Sequence, residues 1–396
     1  MDFTKVRKTV KKLHIPKEYW GIDFDALEKY QWNIYLSIRE TAGKTTQGLL
    51  LGCILRETDP EHYGAIEYIR NDESQLTRGN VEALFDTVVH FDYVRKITHG
   101  RWDTVKYHSQ QKKFYYAKTD EDGTIIEEDK EPICVLHSLQ RVYDYKSVYN
   151  APKGNYILFD EFVDTSRSTY GIFVELLNAV STIGRPMSPG RAEYLKIILM
   201  GNNTSEYSFW FDEFGLSDQI PYLKFGGAIT FNTEYGTTGI CKLLEVGEVQ
   251  KQRLRERNIP FLGFPGKKAA AFTGATEWSG KVYRHPDFDL DYQYCIFRRA
   301  YVKHRNRYIQ LNIFYDDIRG YYLFCHFSNK PLLDDNLIFT IEPEKQTDIY
   351  GFGKYVTKDK ILRVCKEIVY LYKENRCYFS SNSVGSLLED FIKNIK

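Results

Sequence analysis

Bulky apolar residues are grouped in short runs along the first 245 residues, and longer amphipathic segments separate these runs. The runs at residues 32–36, 63–70, 156–159 and 195–200 predict β-strands. Residues 80–91, with Asn80 as the expected N-cap, and residues 170–180 show helical spacing. Apolar strands that alternate with helices are typical of sheets covered on both faces. The pattern therefore predicts an α/β fold with a mostly parallel sheet.

The rest of the chain has a different pattern. Residues 248–257 are highly charged, and the prolines and glycines that follow them are typical of a connector. Residues 308–314 and 320–327 alternate like antiparallel strands, and residues 358–372 and 383–395 are amphipathic like helices. We therefore predict one domain at 1–245, a connector at 246–286 and a smaller α+β domain at 287–396. Inside the first domain, Asp122-Gly123 predicts a β-hairpin.

Composition and charge narrow the function classes. Of the 396 residues, 43% are hydrophobic and 15% aromatic, which indicates a packed core and excludes a disordered chain. The net charge is only +1, so any nucleic-acid contact must come from local clusters. The 7 cysteines are scattered singly, and no apolar run approaches the ~20 residues that cross a bilayer. Because no apolar core follows the basic N-terminus, we expect a soluble intracellular protein without a membrane partner.

A Gly-Lys-Thr triplet follows the first predicted strand and precedes a helix. In a phosphate loop, the glycine turns backbone N–H groups toward the phosphates, the lysine reaches the outer phosphates and the hydroxyl ligates Mg²⁺. The helix adds its positive N-terminal end. Ile38 stands where the usual motif has its first glycine. The residues predicted to line the nucleotide are Arg39, Glu40, Thr41, Ala42, Gly43, Lys44, Thr45 and Thr46.

Two carboxylates end a later buried strand. Asp160 and Glu161 follow four apolar residues, and they suit Mg²⁺ binding by the first acid and polarisation of water by the second. Taken separately, the triplet also fits an ordinary surface lysine, and the acids fit a solvent-facing strand end. Together they predict an ATP site in which Thr45 and Asp160 hold Mg²⁺.

The next apolar strand ends in a polar residue, Asn202. In additional-strand P-loop ATPases, this strand lies between the phosphate loop and the acidic strand, and its terminal polar residue senses the γ-phosphate. Asn202 is our candidate for that sensor, and a simple turn is the alternative interpretation.

These residues, in this order, resemble the DNA-packaging ATPases of phi-twenty-nine-like phages, which are compact relatives of large terminases. The resemblance spans most of the chain and rests on short blocks at residues 34–46, 68–70, 157–162, 176–185 and 199–202. It implies an additional-strand P-loop ATPase domain in a ring, a homopentamer, at the portal of a procapsid. Each subunit would hydrolyse ATP and pass double-stranded DNA inward, in the host cytoplasm and transiently at the portal vertex.

The resemblance also implies residue roles. Lys44 would hold the β- and γ-phosphates, Thr45 and Asp160 would hold the Mg²⁺, and Glu161 would polarise the water.

Two arginines gain candidate roles in the same way. Arg185 matches the family's arginine finger, which acts in trans by stabilising transition-state charge in a neighbouring site. Arg191 is the rival for that role. Arg70 matches a family position near the nucleotide, and an ordinary strand-end arginine is the other interpretation.

The segment after Arg70 departs from the family. The resemblance implies a basic, DNA-facing segment there, but the sequence has Asn71, Asp72 and Glu73. The replacements we consider for contacts with DNA are Arg78, Lys106, Lys112 and Lys113.

The C-terminal domain resembles a ribonuclease-H-type nuclease that has lost its metal site. A metal-binding Asp is expected within residues 292–301, where Arg298 and Arg299 stand instead, and Asp316-Asp317 precedes Gly320 like a turn. The basic residues predict a nucleic-acid face for DNA or a structural packaging RNA, with a solvated hairpin as the alternative. They are Arg298, Arg299, Lys303, Arg305 and Arg307.

Two other functions stay open at this point. One is a helicase or terminase with an active metal-dependent nuclease, which would need carboxylates such as Asp289 or Asp316 for cleavage. The other is a non-enzymatic nucleic-acid-binding structural protein whose Gly-Lys-Thr triplet is accidental.

Overall fold

In the computed structural model the chain divides into two compact units. The structure describes residues 3–15, 20–37, 43–146, 149, 153–163, 171–184, 194–203, 208–217, 219–232, 238–245, 247, 252, 256, 283–304, 307–328, 337–341, 354–356 and 366–395. Among these, the residues up to Glu256 belong to the first unit and those from Tyr283 onward to the second.

The first unit combines helices with one large sheet. Its helices are α1 (Thr4–Lys12), α2 (Phe24–Lys29), α3 (Lys44–Thr58), α4 (Arg78–Val81), α5 (Asp86–His90), α6 (Tyr93–Ile97), α7 (Val142–Tyr145), α8 (Ile172–Ile183) and α9 (Phe209–Glu213). Its strands are β1 (Trp32–Ser37), β2 (Ile66–Arg70), β3 (Thr104–His108), β4 (Lys113–Thr119), β5 (Ile125–Glu128), β6 (Cys134–Ser138), β7 (Tyr156–Asp160), β8 (Lys196–Asn202), β9 (Ala228–Asn232) and β10 (Thr238–Leu243).

The sheet order is β3-β4-β6-β2-β7-β8-β1-β10-β9, with β5 beside β4. The strands from β6 to β10 in this order run parallel, which confirms the mostly parallel sheet predicted from the sequence. Antiparallel strands extend it on both sides. Strand β8 lies between β7 and β1, as the additional-strand arrangement requires.

Helices cover both faces of the central strands, so every residue of β1 and β7 is buried. Side chains of β1 alternate between two cores because successive residues of a strand point to opposite faces. Tyr35 packs in the core that contains α3, whereas Ile34 and Leu36 pack in the core that contains α8. Strand β1, which precedes the predicted phosphate loop, is therefore packed on both of its faces.

Two local predictions have different outcomes. The hairpin prediction is confirmed, because Gly123, with a φ of 79°, lies between the antiparallel strands β4 and β5. The single helix predicted at residues 80–91 is wrong, since turns separate α4 from α5. Asn80 is not an N-cap either: it lies inside α4, and its Nδ2 donates to the Ser74 carbonyl oxygen at 2.9 Å.

The second unit is a six-stranded sheet with two helices described beside it. Its strands are β11 (Cys295–His304), β12 (Arg307–Asp316), β13 (Gly320–Phe327), β14 (Leu337–Thr340), β15 (Lys354–Val356) and β16 (Cys377–Phe379), in the order β15-β14-β11-β12-β13-β16. Strands β12 and β13 are the two predicted antiparallel strands, and β11 pairs antiparallel with β12 to form a meander. Helices α10 (Lys366–Lys373) and α11 (Asn382–Ile395) pack on its core. The rest of the predicted helix at 358–372 lies outside the described residues.

No helix within the described ranges is both long and apolar enough to cross a membrane.

Candidate nucleotide site

Gly43, directly before α3, has the backbone conformation that a phosphate loop needs at its last glycine. Gly43 has a φ of 56°, in the left-handed region that favours glycine, and α3 begins at the next residue, Lys44. An added Cβ on Gly43 would meet no atom of the described residues within 4 Å, so its backbone conformation, rather than lack of space there, accounts for the glycine. Ile38 and the predicted nucleotide-lining residues Arg39, Glu40, Thr41 and Ala42 lie outside the described residues.

The structure brings the two sequence motifs together at the carboxyl edge of the sheet. Thr45 Oγ1 donates a hydrogen bond of 2.7 Å to Oδ2 of Asp160, the last residue of β7. Asp160 is 1% exposed, so the carboxylate is a buried oxygen donor beside a hydroxyl. Hard oxygen ligands of this kind fit Mg²⁺, which proteins bind through one or two carboxylates.

Lys44 is the half-buried cation at the start of α3. Burial lowers the pKa of its ammonium to about 8, although the nearby carboxylates of Asp160 and Glu161 act to raise it. A triphosphate would add negative charge here and favour the protonated form. The lysine is therefore suited to an anionic ligand.

Tyr68 and Arg70 of β2 complete the cluster around the acidic pair. Tyr68 Oη donates to Asp160 Oδ2 at 3.0 Å and accepts from Arg70 Nε at 2.7 Å. The Arg70 guanidinium also forms ion pairs with Asp160, at 3.3 Å, and with Glu161. Burial lowers the pKa of Arg70, but Tyr68 and these two acids outweigh burial and raise it.

Sequence reasoning missed Tyr68. Its position two residues before Arg70 on a predicted strand is the signal that would have found it, because residues i and i+2 of a strand share a face.

Glu161 has an unusual backbone for its residue type. Its φ is 56°, a conformation that non-glycine residues rarely adopt unless their surroundings impose it. Its N–H donates to Asp160 Oδ1 at 3.0 Å, and its carbonyl oxygen accepts from Asn71 Nδ2 at 3.4 Å. Its side chain is 46% exposed. The turn therefore leaves the carboxylate half in solvent beside a buried Asp160.

Asn202 ends β8 at the same edge of the sheet. It pairs with Ser37, the last residue of β1, and the N–H of Asn203 donates to the Ser37 carbonyl oxygen at 3.1 Å. Strand order thus brings the predicted sensor next to the strand that precedes the phosphate loop.

Solved structures with a similar fold come from phage packaging machinery. The gp11 DNA packaging motor of Phi-28 has a TM-score of 0.50 and 16% sequence identity, over 96% of this chain and 99% of that chain. The viral genome packaging motor of bacteriophage Phi-29 has a TM-score of 0.50 and 12% identity, over 96% of this chain and 100% of that chain. The chain shares its fold with viral DNA packaging motors. No family model and no curated protein matches the sequence.

The candidate fingers of this packaging-motor fold, Arg185 and Arg191, lie outside the described residues. The nearest described residues on either side are Gly184 and Tyr194. A Cβ on Gly184 would lie 3.1 Å from Cδ2 of Leu195, which directly precedes β8. Both flanking residues therefore lie at the amino end of β8, at the opposite edge of the sheet from Asn202.

Most of the cations considered for contacts with DNA already have partners in this fold. Arg78 pairs with Glu82 at 2.8 Å, Lys106 pairs with Glu128 at 2.5 Å, and Lys112 pairs with Glu73. Lys113, on β4, is half-buried. Each of the three pairs reduces the charge that its cation could present to a phosphate.

Two of the predicted nucleic-acid-binding cations in the second unit stack on aromatic rings. Lys303 Nζ lies 5.4 Å from the centre of the Tyr308 ring, and the Arg307 guanidinium carbon lies 5.2 Å from that of Phe327. Arg305 and the side chains of Arg298 and Arg299 lie outside what the structure describes.

Asp316, one of the carboxylates considered for a nuclease, serves local structure. Asp316 accepts from the N–H groups of Ile318 and Arg319 and pairs with the Arg319 guanidinium at 3.0 Å, so the predicted turn is confirmed. Within the described ranges, no group of three or more His, Cys, Asp or Glu side chains is arranged to hold a metal ion.

Proposed function

We propose that this protein is an ATP-hydrolysing subunit of a motor that packages double-stranded viral DNA. The observation that carries the proposal is the 2.7 Å hydrogen bond from Thr45 to Asp160, which joins two motifs 115 residues apart. It lies at the carboxyl edge of a parallel sheet, where such sheets bind their ligands. The fold shared with packaging motors supports the biological setting.

The residues of the site suit phosphoryl transfer to water. When bound, ATP with Mg²⁺ would supply the phosphoryl group and the positive charge of the metal ion. Lys44 places its ammonium against the outer phosphates, and Thr45 and Asp160 supply oxygen ligands for the metal. Glu161 keeps a half-exposed carboxylate beside them, where it accepts a proton from the attacking water.

Arg70 and Asn202 tune this site. Arg70 forms ion pairs with both Asp160 and Glu161, so it holds the two carboxylates in position beside each other. Asn202, half-buried beside Ser37, offers an amide to the γ-phosphate and responds to its loss.

A cavity of about 670 Å³ beside α3 suits the base of the nucleotide. Gln47, one turn after Lys44, lines it together with Trp20 and Phe24, whose rings are stacked 5.8 Å apart. Gln47 Oε1 accepts from the N–H of Gly21 at 2.6 Å. The lining also includes charged residues such as Asp23 and Lys242, so the two rings would contact the face of a flat heterocycle and the polar groups its edge.

The arginine finger would act between subunits of a ring, which we propose to be a homopentamer. The seven residues of β8 span roughly 20 Å, and the residues that flank Arg185 lie at the far end of that strand from Asn202. A finger that starts there is better placed to reach a neighbour's nucleotide than its own. Arg191 lies in the same segment and is the alternative finger.

The proposal also covers the roles of the domains and the partners of the protein. We propose residues 1–245 as the motor domain, 246–286 as the connector and 287–396 as a ribonuclease-H-type domain without a metal site. The antiparallel meander β11–β13, with parallel strands added beside β11, supports that type of fold. This domain would present Lys303 and Arg307 to DNA or to a structural RNA. The ring would dock on the procapsid portal in the host cytoplasm.

The test is ATP hydrolysis per subunit, measured against protein concentration with and without double-stranded DNA. We expect the rate to rise with both, and to fall on the order of 10³-fold in Arg185→Ala, the size of loss typical of arginine fingers. Arg191→Ala is the matched comparison, and Lys44→Ala is the inactive control.

Mixing two inactive variants separates a shared site from a self-contained one. Arg185→Ala subunits keep an intact Glu161, and Glu161→Gln subunits keep an intact finger. In a trans arrangement the mixture regains hydrolysis at those interfaces that combine the two intact groups. Rates that are independent of concentration, together with no recovery on mixing, would refute the shared site.

A further inference from the structure

Helix α1 has one lysine-rich face that points away from the protein. Lys5, Lys8, Lys11 and Lys12 are all exposed, and at 3.6 residues per turn they fall within one arc of roughly 120°. We call these four residues the α1 lysine face. The opposite side of the segment is anchored in the core of the first unit by Phe3, Val6, Val10 and Leu13.

The lysine face has no described partner inside the subunit. Among the residues that the structure describes, none of the four lysine side chains forms an ion pair or a hydrogen bond. Arg7 on the same helix differs, because it pairs with Asp25 at 2.6 Å and with Glu28 at 3.2 Å. One basic residue of α1 therefore holds the helix in place, whereas the four exposed lysines have no partner among the described residues.

Helix stability does not explain this arrangement. Lys11 and Lys12 lie in the last turn, where the helix dipole favours cations, but Lys5 lies in the first turn, which contains no acidic residue. A cation there is disfavoured by roughly 0.3–1 kcal/mol. Lys8 adds repulsion with lysines three and four residues away. The net charge of the whole chain is only +1, so this local concentration is not a consequence of a basic composition.

The lysine face is one helix away from the phosphate loop. Helix α1 packs against α3, the helix that begins at Lys44. Val6 and Leu13 of the N-terminal segment share a core with Leu49 and Leu50 of α3. A ligand bound on α1 would therefore lie on a helix that packs directly against α3, which carries Lys44 and Thr45.

We propose that the α1 lysine face binds the phosphate backbone of double-stranded DNA. From Lys5 to Lys12 the helix rises about 10 Å, a length over which one strand of a duplex presents about three phosphates. Clustered lysines match this partner as point charges and need no base contacts. This inference rests on the proposed DNA motor, and it adds a contact on the nucleotide-binding unit to the basic residues of the second unit.

Salt dependence of binding is the decisive measurement, because each phosphate contact contributes about −0.9 to the slope of log K against log salt. Fluorescence anisotropy of a labelled 30-base-pair duplex would be measured with the full chain across a KCl series. For K5Q/K8Q/K11Q/K12Q we expect the slope to become shallower by about 3 and the affinity at 0.1 M salt to fall at least about tenfold. The same four positions changed to Arg should retain the wild-type slope.

A second quadruple variant controls for bulk charge. K29Q/K96Q/K118Q/K130Q removes four positive charges at exposed positions outside α1, and we expect it to bind like the wild type. Equal losses in both variants, or no loss in the α1 variant, would overturn the inference. Thermal unfolding checks that the α1 variant folds, which we expect because it removes unfavourable charge from the helix start.

Two further measurements distinguish duplex DNA from RNA and from a second copy of the chain as the partner of this face. The change in salt slope between the wild type and the α1 variant would also be measured with an RNA duplex of the same length. A larger change for RNA than for DNA would assign the face to RNA and overturn the DNA assignment. Altered self-association in sedimentation with unchanged DNA binding would assign it to an acidic surface of a second copy. We expect the α1 variant to hydrolyse ATP without DNA at the wild-type rate. Absence of hydrolysis in the wild type itself would instead count against the proposed function.

Discussion

At the scale of single residues, burial determines which charges of the candidate nucleotide site need partners. Asp160 is almost fully buried, and it accepts hydrogen bonds from Thr45 and Tyr68 and forms an ion pair with Arg70. A buried carboxylate would be costly without such partners, because charge is poorly solvated in a protein interior. For Lys44, the nearby carboxylates do not fully offset burial, and the pKa of its ammonium is therefore lowered.

The pKa of Lys44, lowered to about 8 by burial, leads to a prediction about proton uptake. At pH 8 about half of the free protein carries a neutral Lys44, and a bound triphosphate favours the charged ammonium. Binding of Mg-ATP to the Glu161→Gln variant should therefore take up about half a proton at pH 8 and almost none at pH 6.5. Calorimetry in buffers of different ionisation enthalpy measures this uptake.

Lys44→Arg is the control for that measurement. A guanidinium stays protonated throughout this pH range, so the variant should bind without the uptake seen at pH 8. If the same uptake persisted in Lys44→Arg, another group would be responsible and the assignment to Lys44 would be wrong.

At the scale of elements, the contact between α3 and the sheet decides how closely the phosphate loop is held. Gly48 and Gly52 lie on the buried face of α3. A Cβ on Gly52 would approach Cγ1 of Ile66 to 2.4 Å and Cε1 of Tyr156 to 3.0 Å. The helix therefore packs on β2 and β7 at a distance that leaves no space for a methyl group.

This packing predicts that Gly52→Ala is destabilising. The added methyl group should lower the free energy of unfolding of the first unit by about 1–3 kcal/mol through overpacking, more than the roughly 1 kcal/mol gained in helix propensity. Urea denaturation followed by circular dichroism gives the difference.

Gly79→Ala, on the short helix α4, is the matched control. Its added Cβ would meet no atom within 4 Å, so only helix propensity acts and stability should stay equal or rise by up to about 1 kcal/mol. An equal gain from both substitutions would show that α3 can move away from the sheet without cost.

At the scale of the whole molecule, the described chain has separate cores in its two units. The residues that we assign to the nucleotide all belong to the first unit. Ligands that bind only the folded form stabilise the part that they bind, by about 2.7 kcal/mol at one hundred times the dissociation constant.

We therefore predict that Mg-ATP raises only one of two thermal unfolding transitions. For a unit of this size, about 2.7 kcal/mol corresponds to a shift of several degrees. Differential scanning calorimetry of Glu161→Gln, with and without nucleotide, tests this, and Lys44→Ala should lose the shift. Equal shifts of both transitions would contradict a site confined to the first unit.

The sequence by itself determined the elements whose signals are local. Apolar runs predicted the central strands because they are buried on both faces, and Asp122-Gly123 predicted its hairpin because glycine provides the positive φ. Gly43, Lys44 and Thr45 were recognisable as a group since the chemistry of a phosphate loop is contiguous. The helix predicted at residues 80–91 failed because its apolar spacing fits two short helices as well as one long helix.

The sequence motifs predicted that Thr45 and Asp160 share a site, but only the tertiary structure decided the contacts that join the distant residues. The order of parallel strands places Asp160 beside Thr45 and Asn202 beside Ser37, and strand neighbours cannot be deduced from periodicity. The same order places Tyr68 and Arg70 beside Asp160 and Glu161. The partners that occupy Arg78, Lys106 and Lys112 are also invisible in the sequence, because an ion pair depends on distances in the folded chain. Local patterns reflect backbone preference and burial, whereas the site depends on how the sheet orders its strands.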